Sequence, residues 1–294
     1  MHIISNATHI ESISPKPIDL VSKSLVPLSR DQFPTCIEPK NWGQNFRQFL
    51  KDANAAISSQ RPQIIHLDVT IFEWPLSFDE PTFVATFGRI LRFRADVRQI
   101  VATILYGIRT QYAPDLELVE GIQDNLFYGA HLRTSVDAAA AHWRGYEAQS
   151  KDYLSAAAER NLSLIYLACG NSEDITRFNT TAISQNMSVV TKDLILSSSA
   201  FTAERKLMEA LSWDQRALID YEVLLRSSIF GATLETSFGW NIAFRRHVVV
   251  GNGTWIAVSP DDVADDIGLT FADERSMIFG NKGGSSFFTK TVWP

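Results

Sequence analysis

The chain has 294 residues, of which 45% are hydrophobic, 20% are charged and 11% are aromatic. This composition fits a globular protein with one large domain or two small ones, and it excludes a disordered chain, a collagen and a coiled coil. The 27 basic and 33 acidic side chains give a net charge of −6, which does not favour general binding to nucleic acid or to an anionic membrane. An anionic ligand would have to be held by a local positive cluster.

The cysteines and the first residues bear on the cellular compartment. Cys36 and Cys169 do not make a disulfide framework in a chain of this length, which favours a reduced environment. The sequence MHIISNATHIESISPKP has neither the basic start nor the apolar segment typical of a signal peptide. No apolar run approaches the roughly 18 residues of a membrane span. We therefore expect a cytoplasmic protein that does not contact a membrane.

The N-terminal part is predicted to contain an arm and a small α/β half. Residues 1–40 carry five prolines without hydrophobic periodicity and are predicted to form an extended arm. Residues 41–122 are predicted to form an N-terminal Rossmann-like half. Its predicted elements are a helix over 41–59, a strand over 62–72 and one long helix or two adjoining helices over 82–112. The last of these carries Arg89, Arg92, Arg94 and Arg98, which we interpret as an ion-paired, solvated surface in preference to a nucleic-acid patch.

Residues 123–294 are predicted to form a C-terminal Rossmann-like domain whose strand ends bind the ligand. Strands that alternate with helices indicate right-handed crossovers and a parallel sheet covered on both faces. The sequence GNGTW at 251–255 predicts a terminal hairpin. Strands are predicted over 127–133, 162–168, 187–191 and 228–234, and helices over 137–160, 172–185, 213–226 and from Ser237 onward.

The carboxyl ends of these strands are the places to look for ligand-binding residues, because ligands of open parallel sheets bind there. Period-2 alternation puts His131 and Arg133 on one face at the end of the first strand. The planar guanidinium of Arg133 suits a phosphate or carboxylate, and an ion pair with Asp137 is an equally good interpretation. Thr191 and Lys192 offer a hydroxyl and an ammonium at the third strand end, where a solvated lysine is the ordinary alternative.

The fourth strand end leads into the helix that begins near Ser237. Thr236, Ser237 and Phe238 there combine hydroxyls with free backbone N–H groups, which makes an anion site, although a plain helix cap is equally natural. His142, Trp143 and Asp214 are candidates to line the same crevice, or to serve only packing and the helix dipole. The chain has no Walker, zinc-binding, GxSxG or GxGxxG motif, so we expect neither a metal nor a cofactor.

Four segments stand out in chain order: FGRILRFRADVR at 87–98, GAHLRT at 129–134, WDQRAL at 213–218, and TSFGWNIA at 236–243 followed by Arg246 and His247. Together they resemble the fungal branch of the GDP-fucose protein O-fucosyltransferase-like family. The resemblance implies a fold with two Rossmann-like domains facing a cleft, of the GT-B type, and the transfer of fucose from GDP-fucose to a hydroxyl. It also implies that Arg133 holds the donor β-phosphate and that Thr236, Ser237 and Phe238 contact phosphate.

The chain departs from that family in places that bear on the substrate. Residues 1–60 have no counterpart of the Gly-rich Asn-Gln loop, Thr236 replaces a serine, and Cys169-Gly170-Asn171 stands where relatives more often have Ser-Gly-Asp. The first hypothesis is therefore a transferase that binds a nucleotide-sugar-like donor or another activated small substrate, with His131 or Glu235 as the proton acceptor.

Two other hypotheses remain open. A cytoplasmic fungal biosynthetic enzyme could reuse the fold for a condensation or cyclisation, for example as an aminoacyl-tRNA-dependent synthase of arginine-containing cyclodipeptides. Glu235 or Asp137 would then bind a guanidinium, and the cluster from Arg89 to Arg98 would contact the tRNA. The third hypothesis is an inactive scaffold that kept only the core. No oligomeric state is predicted.

Overall fold

The computed structural model describes residues 26–28, 48, 65–67, 92–119, 121–250 and 269–280. The chain divides into two compact units, Met1–Phe78 and Asp79–Pro294. In the first unit, strands β1 (Val26–Leu28) and β2 (Ile65–Leu67) pair in parallel. Strand β2 lies inside the strand predicted over 62–72, and β1 lies in the segment predicted as an extended arm. The helix predicted over 41–59 lies outside the described residues except for Gln48, which is helical.

The larger unit alternates strands and helices. A 3-10 turn over Ser199–Phe201 precedes the helix at Thr202–Glu209. The elements in chain order are α1 (Ala95–Gln111), β3 (Tyr128–Leu132), α2 (Val136–Ala140), α3 (Tyr146–Glu159), β4 (Leu164–Cys169), α4 (Ser172–Ser184), β5 (Ser188–Val190), α5 (Lys192–Leu196), α6 (Thr202–Glu209), α7 (Trp213–Leu224), β6 (Ile229–Thr233), α8 (Ser237–Val250), β7 (Leu269–Ala272) and β8 (Ser276–Phe279).

Six strands form one sheet in the order β5-β4-β3-β6-β8-β7. All neighbouring strands are parallel except β7, which runs antiparallel to β8 at the edge. This confirms the predicted Rossmann-like α/β class for the larger unit and corrects the purely parallel sheet to a mostly parallel one. A second Rossmann-like domain is not shown by the described residues.

Each face of the sheet has its own hydrophobic core, as strand alternation requires. Tyr166 and Ala168 of β4 point to the face covered by α1, α7 and α8, whereas Ile165 and Leu167 point to the face covered by α3 and α4. Helix α1 buries an isoleucine stripe on the first of these faces and packs against α7, although its residues fall in the predicted N-terminal half. The stripe consists of Ile100, Ile104 and Ile108.

In the segment predicted as one long helix or two adjoining helices over 82–112, residues 92–94 are not helical and α1 begins at Ala95, after Arg94 with an extended backbone of ψ 152°. Residues 82–91 lie outside the described residues. The helix predicted over 137–160 is interrupted between α2 and α3. His142 there adopts the left-handed conformation with φ 56°, and the N–H of Trp143 folds back to the carbonyl of Ala138 at 3.0 Å. This break creates a loop over 141–145, whose Trp143 lies beside Arg133 at the carboxyl end of β3.

The region between β5 and α7 differs from the prediction, because helices α5 and α6 lie in a stretch for which no helix was predicted. The hairpin predicted at 251–255 lies outside the described residues. Strands β7 and β8 form an antiparallel hairpin, in which the N–H of Asp273 donates to the carbonyl of Ser276 at 3.0 Å. No helix in the described ranges is both long enough and apolar enough to cross a bilayer.

Candidate functional site

The strand order reverses between β3 and β6. The chain runs from β3 through β4 to β5 on one side and then returns to place β6 on the other side of β3. In doubly wound sheets such a reversal leaves a crevice beyond the carboxyl ends of the two strands. The rings of His131 and Phe238, with centroids 4.6 Å apart, bring the two strand ends together. We call residues 131–137 and 234–238 the β3–β6 site.

Arg133 follows β3 and keeps 21% of its side chain exposed. Its guanidinium donates to the Asp137 carboxylate and lies 5.7 Å from the centre of the Trp143 ring. The hydroxyl of Ser135 and the Arg133 guanidinium hold the pKa of Asp137 below its usual range. The Asp137 side chain is 68% exposed, so an anionic ligand can replace it at Arg133 without a buried carboxylate losing its partner.

The start of α8 forms the other side of the site. The Thr236 hydroxyl accepts from the N–H of Gly239 at 3.3 Å, so this side chain caps the helix. The N–H groups of Ser237 and Phe238 are too early in the helix to reach an intrahelical carbonyl. Ser237 is exposed, whereas Phe238 packs against His131 and, with centroids 5.5 Å apart, against Tyr221. Two N–H groups, one hydroxyl and the helix dipole therefore favour an anion here.

The two predicted proton acceptors lie in different environments. Burial, helped by the charge of Arg133, lowers the pKa of His131 to about 3, so its imidazole is neutral and a weak base. Its Nδ1 is buried and has no hydrogen-bond partner within the described ranges. The Glu235 carboxylate accepts from the Thr233 hydroxyl and, at 3.1 Å, from the N–H of Arg144. Glu235 therefore presents a hydrogen-bonded carboxylate at the site, whereas the His131 imidazole is a weak base.

Thr191 and Lys192 stand at the end of β5, two strands away from β3. The Thr191 hydroxyl caps α5 by accepting from the N–H of Leu194 at 3.1 Å. Lys192 is 13% exposed and its Nζ is 2.5 Å from the Asp220 carboxylate. Burial alone would lower the pKa of Lys192, but Asp220 reverses this effect and raises it. Both side chains are engaged within the fold, and the structure does not bring them to Arg133.

The predicted lining residues His142, Trp143 and Asp214 lie in different places. Trp143 lies beside Arg133, and His142 is exposed in the neighbouring 141–145 loop. Asp214 is exposed in the first turn of α7. The indole Nε1 of the adjacent Trp213 is 3.7 Å from the place that a Cβ on Gly170 would occupy, so this turn lies at the end of β4. Of the three residues, only Trp143 contacts Arg133.

Sequence reasoning missed two residues that organise the site. Arg144 joins the 141–145 loop to Glu235 through its N–H and to Asp152 through its guanidinium at 2.5 Å. Gln149 is fully buried on α3 and binds the main chain of Arg133. A glutamine in a helix is normally solvated, so no sequence signal marks it.

Neither a protein-family model nor a curated protein sequence matches the chain. The resemblance to O-fucosyltransferase-like proteins therefore stays a prediction. In the part of the chain that the structure describes, no group of three or more His, Cys, Asp or Glu side chains is arranged to hold a metal ion.

Proposed function

We propose that the protein is a transferase with an O-fucosyltransferase-like fold, and that its β3–β6 site binds the anionic part of a nucleotide-sugar-like donor. The supporting observation is that Arg133 and the start of α8 flank the point where the strand order reverses. The proposal includes a GT-B-like fold with a second Rossmann-like half, to which α1 does not contribute because it packs against α7 in the core of the larger unit. No cofactor is required.

The proposed reaction assigns a role to each side of the site. Arg133 exchanges the Asp137 carboxylate for a donor phosphate, and the N–H groups of Ser237 and Phe238 donate to the same phosphate. The acceptor hydroxyl forms a bond to the sugar carbon while the bond from that carbon to the phosphate oxygen breaks. Glu235 takes the proton of the hydroxyl, and the electron pair leaves with the nucleoside diphosphate. Fixed positive groups around that phosphate stabilise the charge it gains.

A second candidate function is aminoacyl-tRNA-dependent biosynthesis of a small molecule. The observation that favours it is the Glu235 carboxylate, which forms no ion pair with a basic side chain within the described ranges. Such a carboxylate suits a cationic substrate group such as a guanidinium. The arginines near α1 favour it less, because Arg94 is paired with Asp96 at 2.6 Å and Arg98 donates to the carbonyl of Phe93 at 3.1 Å.

Calorimetry with GDP, GDP-fucose and inorganic pyrophosphate tests the first proposal. We expect the wild-type protein to bind all three ligands. Arg133→Ala should weaken binding about ten- to hundredfold, because a charge-assisted hydrogen bond contributes about 1.5–3 kcal/mol. Arg205→Ala is the matched control, since Arg205 is an exposed arginine on α6 that pairs with Glu209.

Two results would contradict the proposal: no binding at millimolar concentration, or equal binding by Arg133→Ala. Binding without release of GDP in the presence of candidate acceptors would favour an inactive scaffold. For the second candidate, the chain is expressed in a host and the extracts are analysed by mass spectrometry. A new cyclic dipeptide that disappears with Glu235→Gln would support it.

A further inference from the structure

Helix α3 presents two buried polar side chains to the end of β3. Gln149 and Tyr153 are four residues apart, and neither has any exposed surface. The Tyr153 hydroxyl donates to the carbonyl of His131 at 2.9 Å. The Gln149 amide holds Arg133 twice: its Oε1 accepts from the Arg133 N–H at 2.9 Å, and its Nε2 donates to the Arg133 carbonyl at 2.9 Å.

The spacing of these contacts follows from the geometry of the two elements. Four residues of an α-helix rise about 6 Å, and two residues of a strand extend about 6.6 Å. Side chains at i and i+4 of α3 can therefore reach alternate residues of β3. Because those are His131 and Arg133, the two buried side chains hold the same two residues that face the crevice.

The Gln149 amide also connects Arg133 to the opposite side of the site. Its Nε2 donates to the carbonyl of Arg144 at 2.5 Å, and the N–H of Arg144 donates to Glu235 at 3.1 Å. Its Oε1 also lies 3.4 Å from the Tyr153 hydroxyl, whose hydrogen is donated to the His131 carbonyl. The amide thus uses both of its donor hydrogens and accepts from the Arg133 N–H. One side chain links the end of β3, the 141–145 loop and the end of β6.

Arg133 needs such a support because the pairing of β3 with its neighbouring strands ends one residue before it. The last registered pair of β3 with β4 is Leu132 with Cys169, one residue before Arg133. Gln149 takes the place that a neighbouring strand would have, by bonding both main-chain groups of Arg133 at once. A residue held in this way projects its side chain in a fixed direction.

We propose that Gln149 is a positioning residue of the β3–β6 site, which sets the direction of the Arg133 side chain and its distance from Glu235. This inference rests on the proposed function, since it assumes that Arg133 binds an anion. A glutamate at this position has nearly the same shape but donates nothing to the two carbonyls. An asparagine keeps the amide but is one methylene too short to reach all its partners.

The test measures GDP affinity by calorimetry for Gln149→Asn and Gln149→Glu, at a temperature where each variant is shown to be folded. We expect each to weaken GDP binding about ten- to hundredfold, because small misplacements of a binding group have effects of this size. The matched control is Ser150→Ala, which changes the next residue of α3. That side chain is also buried, and its hydroxyl donates to the carbonyl of Glu147 in the same helix. Its GDP affinity should equal that of the wild type.

A double variant separates positioning from general destabilisation. If Gln149 acts through Arg133, adding Gln149→Asn to Arg133→Ala should cause no further loss of affinity. Additive losses, or Gln149 variants that bind GDP like the wild type, would overturn the inference and leave the proposed function standing. Absence of GDP binding by the wild type would overturn both.

Tyr153→Phe tests the same inference if the Gln149 variants do not fold. This change removes only the hydroxyl that donates to the His131 carbonyl and lies 3.4 Å from Gln149 Oε1. We expect it to weaken GDP binding in the wild-type background and to have no effect in the Arg133→Ala background. Equal effects in the two backgrounds would overturn the inference.

Discussion

Arg133 follows the carboxyl end of β3, whereas Arg246 contacts the amino-terminal ends of β6 and β8. The two arginines differ in what accepts their hydrogen bonds. The guanidinium of Arg133 donates to one side-chain carboxylate, which is itself 68% exposed. Arg246 is 1% exposed, and its acceptors are the Ser276 hydroxyl and main-chain carbonyls. Burial lowers the pKa of Arg246 to about 9, which still leaves it charged at neutral pH. The carbonyls belong to Leu224, Leu225, Ser227, Ser228 and Arg275.

A structural arginine differs from an arginine that can bind a ligand in whether its hydrogen-bond partners can be replaced. Arg246 joins the end of α7, the start of β6 and the β7–β8 turn, and its position at a helix C-terminus suits its charge. Its partners cannot leave without unfolding the region. The partner of Arg133 is a surface side chain that can turn away. An arginine is available to a ligand when its partner is replaceable, even if it is partly buried.

The largest expected effect is on the structural side of this comparison. Arg246→Met keeps the length of the side chain but leaves several buried carbonyls without a donor. It should lower the free energy of unfolding by on the order of 4 kcal/mol, measured by urea denaturation. Arg205→Met, at an exposed ion pair, should change it by less than about 0.5 kcal/mol. A loss below about 1 kcal/mol for Arg246→Met would show that Arg246 is no more structural than Arg133.

The next effect concerns pH and the partly buried imidazole of His131. Its pKa is about 3 in the folded protein, below the ordinary 6.5, so below about pH 6 the unfolded state binds a proton that the folded state does not. Stability should therefore fall as the pH falls from 6.5 towards 3, by up to about 1.4 kcal/mol for each pH unit. His131→Gln should make the urea midpoint less sensitive to pH over this range. Identical pH profiles for the two proteins would show that His131 is solvated in solution.

A smaller effect is expected for the stability of Arg133→Ala. The Arg133–Asp137 pair is exposed on the Asp137 side, and such pairs contribute about 0–1 kcal/mol. The free energy of unfolding should therefore change by less than about 1 kcal/mol, in contrast to Arg246→Met. A loss of several kcal/mol would mean that Arg133 is structural too.

The smallest predicted effect is on the competition between Asp137 and the ligand. Asp137→Asn removes the charge that Arg133 must give up, so inorganic pyrophosphate should bind up to about fivefold more tightly, because exposed pairs of this kind contribute at most about 1 kcal/mol. Calorimetry at neutral pH measures this directly. Weaker binding would show that Asp137 supports Arg133 in the bound state and does not compete with the anion.

The sequence predicted the features that depend on local patterns. The β-branched and apolar runs that become β3, β4 and β6 were placed within two residues of their observed ends. Helix α7 begins at Trp213 as predicted, because Ser212 and Gln215 form a capping box. The polar residues at the ends of β3 and β6 also followed from the alternation of strands and helices.

The features that the sequence did not predict depend on tertiary contacts. The interruption after α2 requires a positive φ at His142, which no residue type there demands. The burial of Gln149 follows from hydrogen bonds to segments 5 and 16 residues away, which hydrophobic periodicity cannot show. Arg246 drew attention only as part of a family resemblance. Its structural role depends on carbonyls from α7 and from the β7–β8 turn.

The central claim is that the β3–β6 site binds the anionic part of a ligand, and a crystal structure of the protein with GDP tests it most directly. The account predicts a phosphate within about 3 Å of the Arg133 guanidinium and of the N–H groups of Ser237 and Phe238. Arg133 should have left Asp137. GDP bound elsewhere, with the Arg133–Asp137 pair intact, would contradict the account.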